Sequence, residues 1–207
     1  MGGQSRGIYQ SGWIGGHVSD GHVMSAAEAR KAAICAELGN LGRPMRGAEV
    51  GVYMGRLSRA LLRAMPRMHL LMVDSWADPE DHPESYRRTG DIRAFARDNR
   101  RARAGAESAT ESVASRRTIM HMTSLDAAAR VPDGSLDFVF IDAEHSYSGC
   151  SEDIAAWLAK LRRGGLLCGH DYSEEWPGVV RAVDEAVDAH GWVLRLGGNT
   201  CWFVRLS

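Results

Sequence analysis

Residues 47–61 read Gly-Ala-Glu-Val-Gly-Val-Tyr-Met-Gly-Arg-Leu-Ser-Arg-Ala-Leu, and this stretch decides the fold. As far as Val52 it is a strand-like apolar run, whereas Leu57, Ala60, Leu61 and Ala64 recur at helical spacing. Between the two patterns lies a turn carrying Gly51 and Gly55. A glycine lets the backbone approach a ligand where a Cβ would collide, and the helix that follows offers free N–H groups at its start. Strand, glycine turn and helix together open a nucleotide-type pocket.

Working outward, Ser25 with Glu28 three residues later forms a capping box, and Gly39 ends the helix so begun. Downstream, strand-like runs at 69–74, 118–122, 136–142 and 165–171 follow the first at 47–52, and 154–161 and 179–189 read as helices. Five strands alternating with helices predict a parallel sheet, with right-handed crossovers setting successive strands side by side. The tail differs. Its β-forming runs at 192–196 and 200–206 are joined by Gly197-Gly198-Asn199, which permits only an antiparallel return. The expected fold class is α/β: a doubly wound, mostly parallel seven-stranded sheet with a C-terminal antiparallel hairpin. The stretch 76–116 exceeds what one βα unit needs and is expected to hold a helix from about Asp91 plus an insertion near a functional edge.

With 207 residues, 44% of them hydrophobic and 25% charged, the composition is that of a globular domain and excludes disordered, collagenous and coiled-coil chains. No apolar run approaches the roughly 20 residues of a membrane span. The 25 Lys and Arg against 26 Asp and Glu leave a net charge of -1, so neither nucleic acid nor a membrane is an expected partner. Arg93, Arg97, Arg100, Arg101 and Arg103, with Ile92, Phe95 and Ala96 on another face, read as the solvated side of a helix. Four scattered cysteines without a C-x-x-C pair, and no export signal, predict reduced thiols and a cytoplasmic protein. Residues 1–24 are Gly-rich and aperiodic, an arm; residues 25–207 form one domain.

Glu49-Val50-Gly51-Val52-Tyr53-Met54-Gly55 lacks the G-x-G-x-x-G spacing that a dinucleotide pyrophosphate needs, which disfavours NAD and FAD. Asp74 closes the next strand, where a carboxylate can accept hydrogen bonds from two ribose hydroxyls. The loop resembles the E-x-G-x-x-x-G of class I S-adenosylmethionine-dependent methyltransferases, whose Rossmann-like sheet also ends in an antiparallel strand. The resemblance implies S-adenosylmethionine as cofactor. Gly51 and Gly55 would then flank its methionine part, and Asp74 would hold its ribose. Ser124 and Leu125 would border its adenine, with Glu49, Tyr53, Ser75 and Asp142 completing the site.

Two further segments carry the chemistry: Phe138-Val139-Phe140-Ile141-Asp142-Ala143-Glu144-His145-Ser146-Tyr147, and Gly164-Gly165-Leu166-Leu167-Cys168-Gly169-His170-Asp171-Tyr172. Neighbouring parallel strands lie about 4.8 Å apart, so Asp142 and the pair His170-Asp171 should converge at the carboxyl edge of the sheet. From Arg46 onward the chain resembles the small-molecule O-methyltransferases, the macrocin and catechol group. In that group an Asp ends the fourth strand, a base follows three residues later, and an acidic or amide pair ends the fifth. The resemblance makes Asp142 and His145 the candidate catalytic residues, His145 as general base toward a hydroxyl of a small-molecule acceptor. Imidazole titrates near neutral pH, which suits that task.

The same resemblance makes Asp142, His170 and Asp171 the candidate ligands of a divalent metal ion. Here the chain departs from its relatives: His170 replaces a carboxylate or amide, and an Asp-His-Asp set suits a softer ion than magnesium. Trp76, Asp78, Asp81, His82, Tyr86, Tyr172 and Trp176 could wall the acceptor pocket. Other readings are an RNA or protein methyltransferase with the same cofactor pocket, or a cofactor-binding module without catalysis. A homo-oligomer is compatible with each.

Overall fold

The computed structural model describes residues 25–39, 43–77 and 92–207, the side chains of 92–98 excepted. The arm 1–24 and the acceptor-wall candidates Asp78, Asp81, His82 and Tyr86 lie outside the described residues. In chain order the elements are α1 (Ala26–Leu38), β1 (Met45–Val50), α2 (Arg56–Ala64), β2 (Met68–Asp74) and α3 (Ile92–Ala109). After a 3-10 turn at Glu111–Arg116 come β3 (Arg117–His121), α4 (Ser124–Arg130), β4 (Leu136–Ile141), α5 (Tyr147–Leu158) and β5 (Leu161–Gly169). The chain closes with α6 (Pro177–His190), β6 (Arg195–Leu196) and β7 (Trp202–Arg205).

These strands form one seven-stranded sheet in the order β3-β2-β1-β4-β5-β7-β6. The pairs β1/β2, β1/β4, β2/β3 and β4/β5 are parallel, and β7 runs antiparallel to both β5 and β6. The mostly parallel sheet with its terminal antiparallel pair is therefore as expected. Strict side-by-side succession is not. After β3 the chain crosses to the far side of β1, because only there does β1 have a free edge for β4 to pair, Val50 facing Ile141. That reversal between β1 and β4 opens the crevice in which α/β sheets bind ligands.

Alternation along the strands splits the core between the two faces. Val139, Ile141 and Leu167 pack with Ala127 of α4, Trp157 of α5 and Val183 of α6. Phe138, Phe140 and Leu166 pack on the opposite face with Ile34 of α1, Leu61 of α2 and Ala106 of α3. Both faces being covered explains why the central strands read as continuous apolar runs.

Several element ends differ from those expected. The first strand stops at Val50 rather than 52, because Gly51 leaves the extended region with φ 92°. The fifth begins at Leu161 and ends at Gly169, a register shift opposite Leu136 and Phe138 absorbing the extra residues. Its preceding helix starts at Tyr147, well before 154, because Ser146 caps it by accepting the Gly149 N–H at 3.1 Å. The sixth strand keeps only Arg195 and Leu196 of the expected 192–196. The capping box at Ser25 is half formed: its hydroxyl accepts the Glu28 N–H at 3.3 Å, while the Glu28 carboxylate pairs with Lys31 at 2.5 Å.

Candidate active site

The loop after β1 is shaped by one carboxylate. Asp74, at the end of β2, accepts the Val52 and Tyr53 N–H groups at 2.9 and 2.8 Å and the Trp76 N–H at 2.7 Å. Trp76 Nε1 then donates to the Tyr53 carbonyl at 2.9 Å, so Trp76 is buried as part of the loop. Tyr53 and Trp76 are held at φ 50° and 36°. Such conformations persist where the surroundings over-determine them, as these hydrogen bonds do. Glu49 is buried on the same strand and accepts the Ser58 hydroxyl at 2.5 Å, tying β1 to α2. Burial pushes its carboxyl up to about 8.

The two glycines also answer to packing. A Cβ on Gly51 would lie 1.9 Å from the Asp142 carbonyl oxygen, so this glycine lets the β1 turn pass the end of β4 as well as lining the cavity described below. Gly55, at φ 68°, is the N-cap residue of α2, and a Cβ there would come within 2.8 Å of Ala106 Cα. It does not line the cavity described below.

At the ends of β4 and β5 the expected convergence is present. Pairing of Ile141 with Gly169 sets Asp142 beside His170. His170 Nδ1 lies 3.5 Å from Asp142 Oδ1 and 2.9 Å from Asp171 Oδ1, and Asn199 approaches its Nε2 at 3.2 Å. His145 Nε2 lies 2.6 Å from Asp171 Oδ2 and 3.8 Å from Asp142 Oδ1. The His145 ring stacks on Trp176 with centroids 4.4 Å apart. The other oxygen of Asp142 takes a residue that the sequence did not point to, Arg30 of α1, whose Nη1 contacts Oδ2.

Burial opposes charge on both imidazoles, yet the hydrogen bonds and charges of Asp142 and Asp171 outweigh it and raise His145 and His170 to about 9. Burial likewise works against the Asp142 carboxylate, but His145, His170 and Arg30 together hold it below its ordinary value. Asp171 is depressed in the same way by the two imidazoles. At neutral pH the cluster is therefore two carboxylates among three cations.

A cavity of about 880 Å³ opens along the carboxyl ends of β1, β2 and β4. Glu49, Gly51, Tyr53, Asp74, Ser75, Ser124, Leu125 and Asp142 all line it. Of the acid and imidazole cluster only Asp142 reaches its wall; His145, His170 and Asp171 stand behind that carboxylate. Tyr172 donates its hydroxyl to Asp184 at 2.7 Å and Trp176 packs on His145, so neither walls the cavity.

The family model described as a methyltransferase domain matches residues 48–172, from β1 through the acid and imidazole cluster. The chain belongs to the methyltransferase-domain family. Among solved structures, the methyltransferase is similar to the O-methyltransferase NovP, at 18% identity and TM-score 0.61 over 86% of this chain and 80% of that one. CalS11, a TDP-rhamnose 3'-O-methyltransferase of calicheamicin biosynthesis, aligns at 16% identity and TM-score 0.56 over 85% of this chain and 76% of its own. A precorrin-6y C5,15-methyltransferase from Geobacter metallireducens aligns at 15% and 0.56 over 91% and 92%. At these identities the likeness is one of fold. No curated protein matches the sequence.

Membership of this family makes the chain an enzyme using S-adenosylmethionine, and the cavity suits that cofactor in size and in its row of main-chain and acidic groups at the switch point. Beside Arg30, the methyltransferase exposes Glu144 and Asp153 to this cavity, neither foreseen as a site residue. Asp153 is buried, bonded by the Ser124 hydroxyl, and pushed up to about 6 by burial. Its position seven residues beyond the α5 cap is a signal only once α5 is known to start at Tyr147. On the arginine-bearing α3, Arg103 is spent on Glu107 at 3.1 Å and His121 at 2.7 Å. No described helix is long and apolar enough to cross a membrane.

Proposed function

We propose that this methyltransferase carries a methyl group from S-adenosylmethionine to a hydroxyl of a small-molecule acceptor, with His145 as the base. One observation carries the proposal: Asp142 forms the cavity wall on one side and faces His145 on the other, 3.8 Å from its Nε2. When bound, the cofactor supplies a methyl already activated by its sulfonium sulfur. The residues of the chain have then to align an oxygen with it and take that oxygen's proton, which would reach His145 by way of the Asp142 carboxylate that stands between it and the cavity. The new bond is oxygen to methyl carbon; the bond lost is carbon to sulfur, whose electron pair stays on sulfur.

Gly51, Tyr53, Asp74, Ser75, Ser124 and Leu125 are the residues that would hold the cofactor, together with Glu49 and Asp142, all of them lining the cavity. Gly55 serves them by shaping the start of α2. Asp171 and, farther off, Asp142 both face Nε2 of His145 and orient its ring, and Trp176 packs on its plane. The candidate metal set is a poor fit: each carboxylate oxygen of Asp142 and Asp171 already faces an imidazole or guanidinium nitrogen, and a ligating His must be neutral. No step is assigned to a metal.

The test is His145→Ala, followed by S-adenosylhomocysteine release against a panel of phenolic and sugar hydroxyls, with cofactor binding measured in parallel by calorimetry. Cofactor affinity should stay within a few-fold of the wild type while turnover falls by about 10²–10⁴. Turnover at the wild-type level would remove His145 as base. Steep salt dependence of RNA binding would instead favour a nucleic-acid acceptor.

A further inference from the structure

The carboxylate that follows β4 already has a cation. Arg30 reaches it from the second turn of α1, a helix anchored on the sheet face by Ile34 and Leu38, both buried. The Arg30 side chain is 20% exposed, lines the cavity, and sets Nη1 against Asp142 Oδ2. Its charge also reaches Glu49 on the neighbouring strand. We propose that the Arg30 guanidinium stands where a divalent ion would sit beside Asp142, giving the acceptor edge a fixed cation of its own in place of an exchangeable metal.

The donor atoms of Asp142, His170 and Asp171 come within 4.8 Å of one another, close enough to hold an ion. Arg30 closes that option at Oδ2 of Asp142. A metal binding there would have to displace a guanidinium from Oδ2 of Asp142 and enter beside a charge that cannot be titrated away. The guanidinium can do part of the ion's work. It lies beside the cavity wall and favours negative charge on an acceptor oxygen there, as a Lewis acid does. During the transfer the acceptor proton passes by way of Asp142 to neutral His145, the oxygen takes the methyl, the carbon–sulfur pair stays on sulfur, and Arg30 is unchanged. Unlike a metal, it cannot be removed by a chelator.

This inference rests on the acceptor edge proposed above, and its test separates the two. Mn²⁺ and Co²⁺ are titrated by calorimetry into the wild type, R30K and R30M, with S-adenosylmethionine titrated into the same samples. The wild type and R30K should show no site in the micromolar range and the same melting temperature with and without EDTA. R30M, its Asp142 oxygen uncovered, should gain at least about tenfold in metal affinity. A micromolar Mn²⁺ site in the wild type overturns the assignment, as does an R30M variant that binds metal no better than the wild type. R30Q replaces R30M if the latter does not fold. Failure of the wild type to bind S-adenosylmethionine would strike the cofactor site and the function proposed from it, leaving the metal comparison to be judged by itself.

Discussion

An imidazole nitrogen facing two carboxylates is a poor base until it gives up its proton. His145 and His170 are raised from the ordinary 6.5 to about 9, so at neutral pH both are mostly imidazolium. The neutral form of His145 grows as pH climbs through about 9, and turnover should rise with it, levelling above that value. Stability should move the other way. A raised imidazole contributes stability that is fully present below 6.5 and is lost as pH rises through about 9. Glu49, whose folded carboxyl is raised from 4.5 to about 8, adds a loss in the same direction between those values. Melting temperature should thus fall from pH 6.5 to 9 while activity increases, and melts and rate profiles on one sample would show the opposed trends. A melting temperature that does not fall across this window would mean that the imidazoles are not paired as described. The depressed Asp142 and Asp171 give a separate loss of stability below about pH 4.

At the scale of elements, the turn from β1 to α2 is pressed against the end of β4. Gly51→Val would place a Cβ 1.9 Å from the Asp142 carbonyl at φ 92°, a conformation closed to β-branched residues. The expected cost exceeds about 4 kcal/mol, so the variant should lose its cooperative urea transition as well as its cofactor. Even Gly51→Ala should destabilise measurably. Lost cofactor binding in such variants is thus a sign of a displaced strand. The type and order of most elements were legible because both periodicities, the Gly turns and the Ser25 cap act locally, whereas the Ser146 cap went unread and with it the first two turns of α5. Arg30 was not legible: 112 residues separate it from Asp142, and an arginine in a capped helix has no local mark that it faces inward. Convergence of Asp142 with His170 and Asp171 was legible because parallel pairing brings strand ends together. The partners of Asp74 and the cation on Asp142 are tertiary facts, set by packing and invisible in spacing.

Across the whole molecule the two edges of the sheet do different work. The carboxyl edge gathers the cavity, while the opposite edge is locked by Asp137, buried at the start of β4. It accepts the Arg46 N–H at 2.7 Å and pairs with Arg43 at 2.5 Å and Arg162 at 3.2 Å. Asp137→Ala leaves the Arg46 N–H without its acceptor, while the partly exposed Arg43 and Arg162 keep their carbonyl partners Pro44 and Ser135, so the cost is about 1–3 kcal/mol, or roughly 5 °C in melting temperature. S-adenosylmethionine binding by the folded variant should be unchanged, because the cavity lies at the far ends of the strands. Comparing that variant with His145→Ala distinguishes loss of fold from loss of chemistry.

The place of β7 has a consequence for synthesis on the ribosome. Trp202–Arg205 is wedged between β5 and β6, so neither can complete its pairing until residue 205 has emerged. At about 5–20 residues per second, roughly 2–7 s pass between the emergence of β5 and that of β7. Throughout that interval Leu166, Leu167 and Cys168 present an apolar strand without its neighbour, which makes β5 the natural docking point for a chaperone on the nascent chain.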